Sequence, residues 1–360
     1  MFKKTLVAAA LATASMGANA YQIGENNDFN VEVYGVAAIS VVSYGDAIGG
    51  DVNPELNKGP VIENESRIGF RAGKAMTENI DVFMQVESGY VDNVDWGHGG
   101  VHGGVLGFRD TFVGLKGDWG KVRFGRVLTP MYEIIDWPYA NPGLGASWDW
   151  GGDVAYYYDR QSNTIRYDSP SFGNFNFALA VGRDDDANPS SQSSSGQDNA
   201  SKDSYFYGAA AHYRFADMVT LHAGLEAAQD FRGSADVDTF GWLVGFEASL
   251  PAGFGLAAAY KSGESKDKTG ATTVKSEQDS YSVIGQYWAG SLGFKLGYTA
   301  NLESEVEGVK QSDEDSIISG QVMYVVNGFV PYLRVAQRDI IDWRGENDDI
   351  VVRVGLEYGF

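Results

Sequence analysis

Residues 350–360 read Ile350-Val351-Val352-Arg353-Val354-Gly355-Leu356-Glu357-Tyr358-Gly359-Phe360, and their alternation decides the fold. Ile350, Val352, Val354, Leu356, Tyr358 and Phe360 share one parity, while Val351, Arg353, Gly355, Glu357 and Gly359 share the other. Successive side chains of a strand point to opposite faces, so this segment has one apolar face and one mostly polar or small face. A soluble sandwich would bury the apolar face against a second sheet. A transmembrane barrel turns it to lipid and seats the terminal aromatics at the membrane interface.

Upstream, the pattern recurs in segments of about 9–13 residues, the length that a tilted spanning strand requires. Strands are expected to begin near Asn30, Ile62, Ile80, Gly104, Lys121, Asn163, Asn174 and Ser204. Others are expected near Val219, Thr239, Gly255, Gln278, Leu292, Ser316, Phe329 and Asp349. Sixteen is an even number, as closure of an antiparallel barrel favours. The connections alternate in length. Gly117–Gly120, Ser171–Asn174, Pro251–Phe254 and Val326–Gly328 read as turns, whereas Gly45–Pro60, Asp184–Asp203, Ser262–Glu277 and Asp342–Asp348 read as long polar loops. Short turns at one rim and long loops at the other is the plan of an all-β, antiparallel transmembrane barrel.

Composition agrees. Aromatics make up 13% of the chain, and 46 glycines stand against 9 prolines, a mix suited to strands and tight turns. Cysteine is absent, so no disulfide contributes to stability. Residues 1–20 read as a secretory signal peptide: Lys3 and Lys4, a short apolar run, then Ala18-Asn19-Ala20 as a cleavage signature. The mature barrel is then expected at 21–360 as one domain. The net charge is −21, or −23 once Lys3 and Lys4 are removed, which excludes a nucleic-acid footprint and fits a water-filled passage that prefers cations.

One connection breaks the plan. Thr129 to Arg160 is longer than an ordinary barrel loop and contains Tyr132, Trp137, Tyr139, Trp148, Trp150, Tyr156, Tyr157 and Tyr158. It also contains Glu133, Asp136, Asp149, Asp153 and Asp159, with no basic residue before Arg160. So aromatic a segment is unsuited to bulk water. Folded into the lumen, it would set carboxylates and ring faces along the passage.

Several pieces resemble the trimeric general porins of Gram-negative bacteria. They are Val33-Tyr34-Gly35, Arg67-Ile68-Gly69-Phe70, Arg109 to Lys116 (RDTFVGLK), Phe124-Gly125-Arg126, Trp150-Gly151-Gly152-Asp153 and the terminal Phe360. Their order and spacing carry the match over the mature length. The resemblance implies an outer-membrane homotrimer in contact with lipid and lipopolysaccharide, passing small hydrophilic solutes without a cofactor. It also implies a basic wall facing acids on the third loop. Arg67, Arg109 and Arg160 match the wall, Asp149 and Asp153 match the loop acids, and Asp136 and Glu133 are secondary acids. Opposed charges across a narrow gap order water and screen solutes, and arginine keeps its charge at every accessible pH. Structural ion pairing is the other role open to these arginines.

Two features depart from the general porins. A wall lysine of the family is Val36 here, and the loop carries more tryptophan than general diffusion needs. Asp136-Trp137 and Asp149-Trp150 are similar to pairs in the chitoporins, the chito-oligosaccharide channels of vibrios, and Asp342-Trp343 offers a third ring near the mouth. A ring face stacks on the C–H face of a sugar while the carboxylate meets its hydroxyl rim. Trp137, Trp150 and Trp343 are therefore expected to contact sugar, the alternative being loop packing in a non-selective, mildly cation-preferring channel. An enzyme is not expected, because His98, His102, His212 and His222 stand by no serine motif. No metal site is expected either: glycines around His98 and His102 oppose a helical i, i+4 pair, and Asp184-Asp185-Asp186 lacks the spacing of a calcium loop.

Overall fold

The computed structural model describes residues 21–23, 30–43, 60–89, 107, 109–140, 147–149, 152–184, 201–342 and 345–360. The expected signal peptide, residues 24–29 ahead of the first strand, His98, His102 and Asp185–Asp186 lie outside these. Sixteen strands cross the barrel. β1 is Asn30–Ser43; β2 runs through Val61–Asn64 and Arg67–Thr77; β3 is Ile80–Gly89, β4 Thr111–Gly117 and β5 Gly120–Leu128. After the helix α1, Pro130–Asp136, come β6 Arg160–Asp168, β7 Phe175–Arg183, β8 Tyr205–Phe215, β9 Val219–Gln229 and β10 Val237–Ser249. The remainder are β11 Phe254–Asp267, β12 Val274–Ala289, β13 Leu292–Asn301, β14 Asp315–Tyr324, β15 Phe329–Asp342 and β16 Gly345–Gly359. Each pairs antiparallel with the next, and β16 closes on β1 through Val36↔Gly359 to Ser43↔Val352. The expected count and closure are therefore those observed.

β16 settles which side faces out. Val354 is 56% exposed and Ile350 58%, while Val351 and Arg353 on the other parity are buried. The exposed row is the apolar one, which inverts the arrangement of a soluble protein and meets lipid. The same inversion holds on β13, where Phe294, Leu296 and Tyr298 are exposed and Thr299 and Asn301 are buried. Exposed aromatics Trp119, Phe172, Phe215, Phe254 and Phe329 gather beside the short turns, as an interfacial girdle does. At one of those turns Asn327 and Gly328 both take positive φ, 50° and 84°, matching the twist of the strands they join.

Two loops are shorter than expected. Ser262–Glu277 is mostly paired strand, with β11 reaching Asp267 and β12 starting at Val274. Likewise, β15 and β16 pair out to Asp342↔Gly345 within the expected loop Asp342–Asp348. Beyond the lipid no apolar parity is needed, so the ribbons continue on backbone hydrogen bonds that hydrophobic periodicity cannot reveal. At the other rim, Tyr21–Ile23 pairs with Val31–Val33 and extends the row that Phe360 ends opposite Gly35.

Candidate functional site

The connection between β5 and β6 folds into the barrel. It starts as α1 because Thr129 caps the helix, accepting a hydrogen bond from the Tyr132 N–H at 3.3 Å, and Pro130 sits at the first position. Met131, Ile134 and Ile135 then fall on one buried face. They join Tyr139, Trp148, Val154 and Tyr156 in an apolar cluster against Ala210, Leu243, Ala257 and Ala259 of β8, β10 and β11. Polar clamps complete the docking. Ser282 donates to the Tyr139 carbonyl at 2.7 Å, Asp153 N–H donates to Gln278 Oε1 at 2.9 Å, and Tyr158 N–H donates to Glu226 Oε1 at 2.7 Å. The wall is cut away where rings lie on it: a Cβ on Gly263 would sit 2.1 Å from Tyr156, and one on Gly245 2.5 Å from Tyr139. Lys261, buried beneath the loop, donates to Tyr156 Oη at 3.3 Å and lies 5.0–5.4 Å from the ring centres of Trp148, Tyr156 and Tyr157.

Along the wall from β2 to β6 stands an arc of arginines. Arg67 and Arg71 share the inner parity of β2, and Arg109 pairs with Glu87 of β3 at 2.5 Å. Arg160 is bound to Asp110, and Arg123 of β5 and Arg166 of β6 both grip Asp168 at 2.8 Å. Tyr34 crosses Gly69, where a Cβ would meet its ring at 2.3 Å, to donate to Glu87 at 2.7 Å, and Arg71 stacks on the Tyr34 ring at 3.7 Å. Val36 is buried on the inner face of β1 directly opposite Arg67. Arg67, Arg109 and Arg160 are the expected wall arginines; Arg71, Arg123 and Arg166 join them, and inner-face parity within each strand is the signal in the sequence that marks them.

The loop acids divide three ways. Asp136, exposed at the end of α1, is the loop acid that feels the charges of Arg109, Arg160 and Arg67. Glu133 turns to the wall beside it, ion-paired to Arg166. Asp153 points elsewhere: it is exposed, shares a hydrogen bond with Asp313 and lies beside Asp315. Asp149 lies inside the loop near Tyr132 and Asp136, where burial and the Asp136 charge push its carboxyl up to about 8. Of the tryptophans, Trp137 is half-buried, with Lys295 Nζ of β13 at 5.1 Å from its ring centre. Trp150 and Trp343 lie outside the described residues. Trp148, not singled out in the sequence, is fully buried and donates its indole N–H to the Ile135 carbonyl at 3.1 Å.

The Asp149 environment has a measurable consequence. Below about pH 8 its carboxyl is mostly protonated, and above it a negative charge is added to the loop. Reversal potentials in a potassium chloride gradient are expected to give a mild potassium preference at neutral pH that grows between pH 7 and 9. Asp149→Asn should flatten the rise. An unchanged rise in that variant would assign it to another group.

The sequence profile described as Gram-negative porin matches residues 6–330. The chain belongs to that family. This porin is 56% identical to a protein named chitoporin from Vibrio furnissii, with 100% of the chain and 99% of the relative covered. Among solved structures, a loop-deleted OmpT of Vibrio cholerae superposes with a TM-score of 0.71 at 17% identity, covering 93% of the porin and 100% of that chain. OmpT in a trimer form gives 0.63 at 16% identity, again with 93% and 100% covered. At these identities the structural likeness speaks for the fold alone. The porin is thus an outer-membrane barrel of a Gram-negative bacterium. Among the described residues no helix is long and apolar enough to cross a membrane.

Proposed function

We propose that the porin is a homotrimeric passive channel that favours chito-oligosaccharides over other small hydrophilic solutes. Asp136-Trp137, held inside the lumen at the end of α1 with Arg67, Arg109 and Arg160 as the facing charges, carries this reading. A β-linked amino-sugar chain has apolar ring faces for an indole and a rim of hydroxyl and amide groups for carboxylate and guanidinium partners. Trp137 supplies the ring, Asp136 the acceptor, and the arginines the donors. Trp150 and Trp343 are further candidate sugar contacts, while Asp149 and Glu133 add to the acidic side of the loop and Asp153 adds charge beside Asp313. The relative named chitoporin supports the same solute class. Transport runs down the gradient, so the arrangement needs only weak, repeated contacts that admit a solute and let it leave.

The test records single trimers in a planar bilayer with chito-oligosaccharides and, as control, malto-oligosaccharides. Brief stepwise blocking by the first sugar alone, weakened roughly tenfold or more in Trp137→Ala and in Trp150→Ala, is the expected result. A steady current with both sugars would leave a general diffusion channel whose tryptophans serve packing.

A further inference from the structure

His212 of β8 and His222 of β9 are directly opposite in the strand register, both on the inner face of the barrel. Their Nδ1 atoms lie 2.8 Å apart and their rings meet nearly edge-on, with centres 5.0 Å apart and planes at 79°. Neither is used by the solute path derived above. We propose that this pair is a two-imidazole binding site for a divalent transition ion, copper(II) or nickel(II), on the lumen wall beneath the infolded loop.

Three observations support the assignment. The first is spacing: two nitrogens in adjacent positions of a square-planar ion, each about 2.0 Å from it, are about 2.8 Å apart, whereas a tetrahedral zinc would spread them to about 3.3 Å. The spacing of the pair therefore matches adjacent positions on a tetragonal ion more closely than on a tetrahedral one, and a rotation of the rings turns both nitrogens toward the ion. The second is the outer nitrogen of His222. Its Nε2 is buried, has no hydrogen-bond partner among the described residues, and lies 3.9 Å from Glu247 Oε1 of β10. With an ion on Nδ1 the proton is fixed on Nε2, and a small ring rotation brings it to that carboxylate, the outer contact that ligating histidines generally have. The third is the setting. The ring of Tyr139 from the loop lies edge-on to His222 at 6.0 Å, and its buried hydroxyl also has no hydrogen-bond partner among the described residues. Glu133, Asp168 and Glu247 place more negative than positive charge around the pair, against Arg166 near His212 and Arg214 near Glu247. His212 remains half-buried toward the lumen, so water completes the coordination. Among the described residues no group of three or more His, Cys, Asp or Glu is placed for a metal, so the site is a weak, exchangeable one with two protein ligands.

The experiment uses the folded full-length barrel in detergent, with His98→Asn and His102→Asn to remove the other two histidines of the chain. Copper(II) is titrated and followed by electron paramagnetic resonance and equilibrium dialysis. One copper per chain, with hyperfine structure from two nitrogens, is expected. His212→Ala and His222→Ala should each weaken it roughly tenfold or more, with the heat-modifiable band of the folded barrel intact. Equal copper binding in the His212→Ala/His222→Ala double variant, or no nitrogen hyperfine structure in the parent, would overturn the proposal and leave the pair sharing a proton.

Discussion

Gly263→Val is expected to raise single-channel conductance by about twofold or more, because it displaces the infolded loop. Gly263 of β11 faces Gly241 of β10 across the register, and the Tyr156 ring lies over both, 2.1 Å and 2.3 Å from where their Cβ atoms would stand. Contacts that short cannot be absorbed by small shifts, so either the wall or the ring must move. The wall is hydrogen-bonded on both sides, Gly263 being paired with Gly241 and with Gln278 of β12. The loop is held there by ring contacts and a few side-chain hydrogen bonds, among them the one from Lys261. The loop is the softer partner. Adding Tyr156→Ala to Gly263→Val makes room for the new side chain and should return conductance toward the parent value. An unchanged current in the single variant would show that the wall yields and the loop stays in place.

Arg353→Ala is expected to lower the temperature at which the folded band converts to the unfolded one in unboiled SDS gels, by roughly 10 °C. Arg353 of β16 is 1% exposed and reaches across β1 to β2, bound to Glu63, to Glu65 at 2.9 Å and to Ser40 at 3.3 Å. This cluster ties the last strand to the first two at the seam where the barrel closes. Removing the guanidinium takes from buried Glu63 the charge it grips across the seam, a loss of about 3–5 kcal/mol in such settings. Pairing Arg353→Met with Glu63→Gln removes both charges and should recover most of the loss. A single variant as stable as the parent would mean that the Arg353 cluster does not hold the seam.

Whether a residue faces lipid or lumen was legible from the sequence because it is a local property. Parity alone places Val354 outside and Arg353 inside, and fifteen of the sixteen expected starting points fall within four residues of the observed strands; the exception, Gly104, lies ahead of β4 at Thr111. Where the strands leave the lipid that signal fades, which is why the β11–β12 and β15–β16 ribbons were read as loops.

The loop is the opposite case. Its length, aromatic content and lack of basic residues gave its inward course, since no water-exposed path would suit eight aromatic rings. Which ring packs and which acid meets the wall was not legible. Trp148 is an anchor and Trp137 is open to the lumen, and Asp136 faces the arginines while Asp153 turns to Asp313. Those outcomes depend on contacts such as Asp153 with Gln278 and Tyr139 with Ser282, more than a hundred residues apart along the chain. The sequence by itself determined an inside-out barrel of sixteen strands with a folded-in loop, because strand period and hydropathy act locally. Only the tertiary structure decided which charges lie near one another at the lumen, because that depends on where a long connection finds glycine hollows and hydrogen-bond partners on a distant wall.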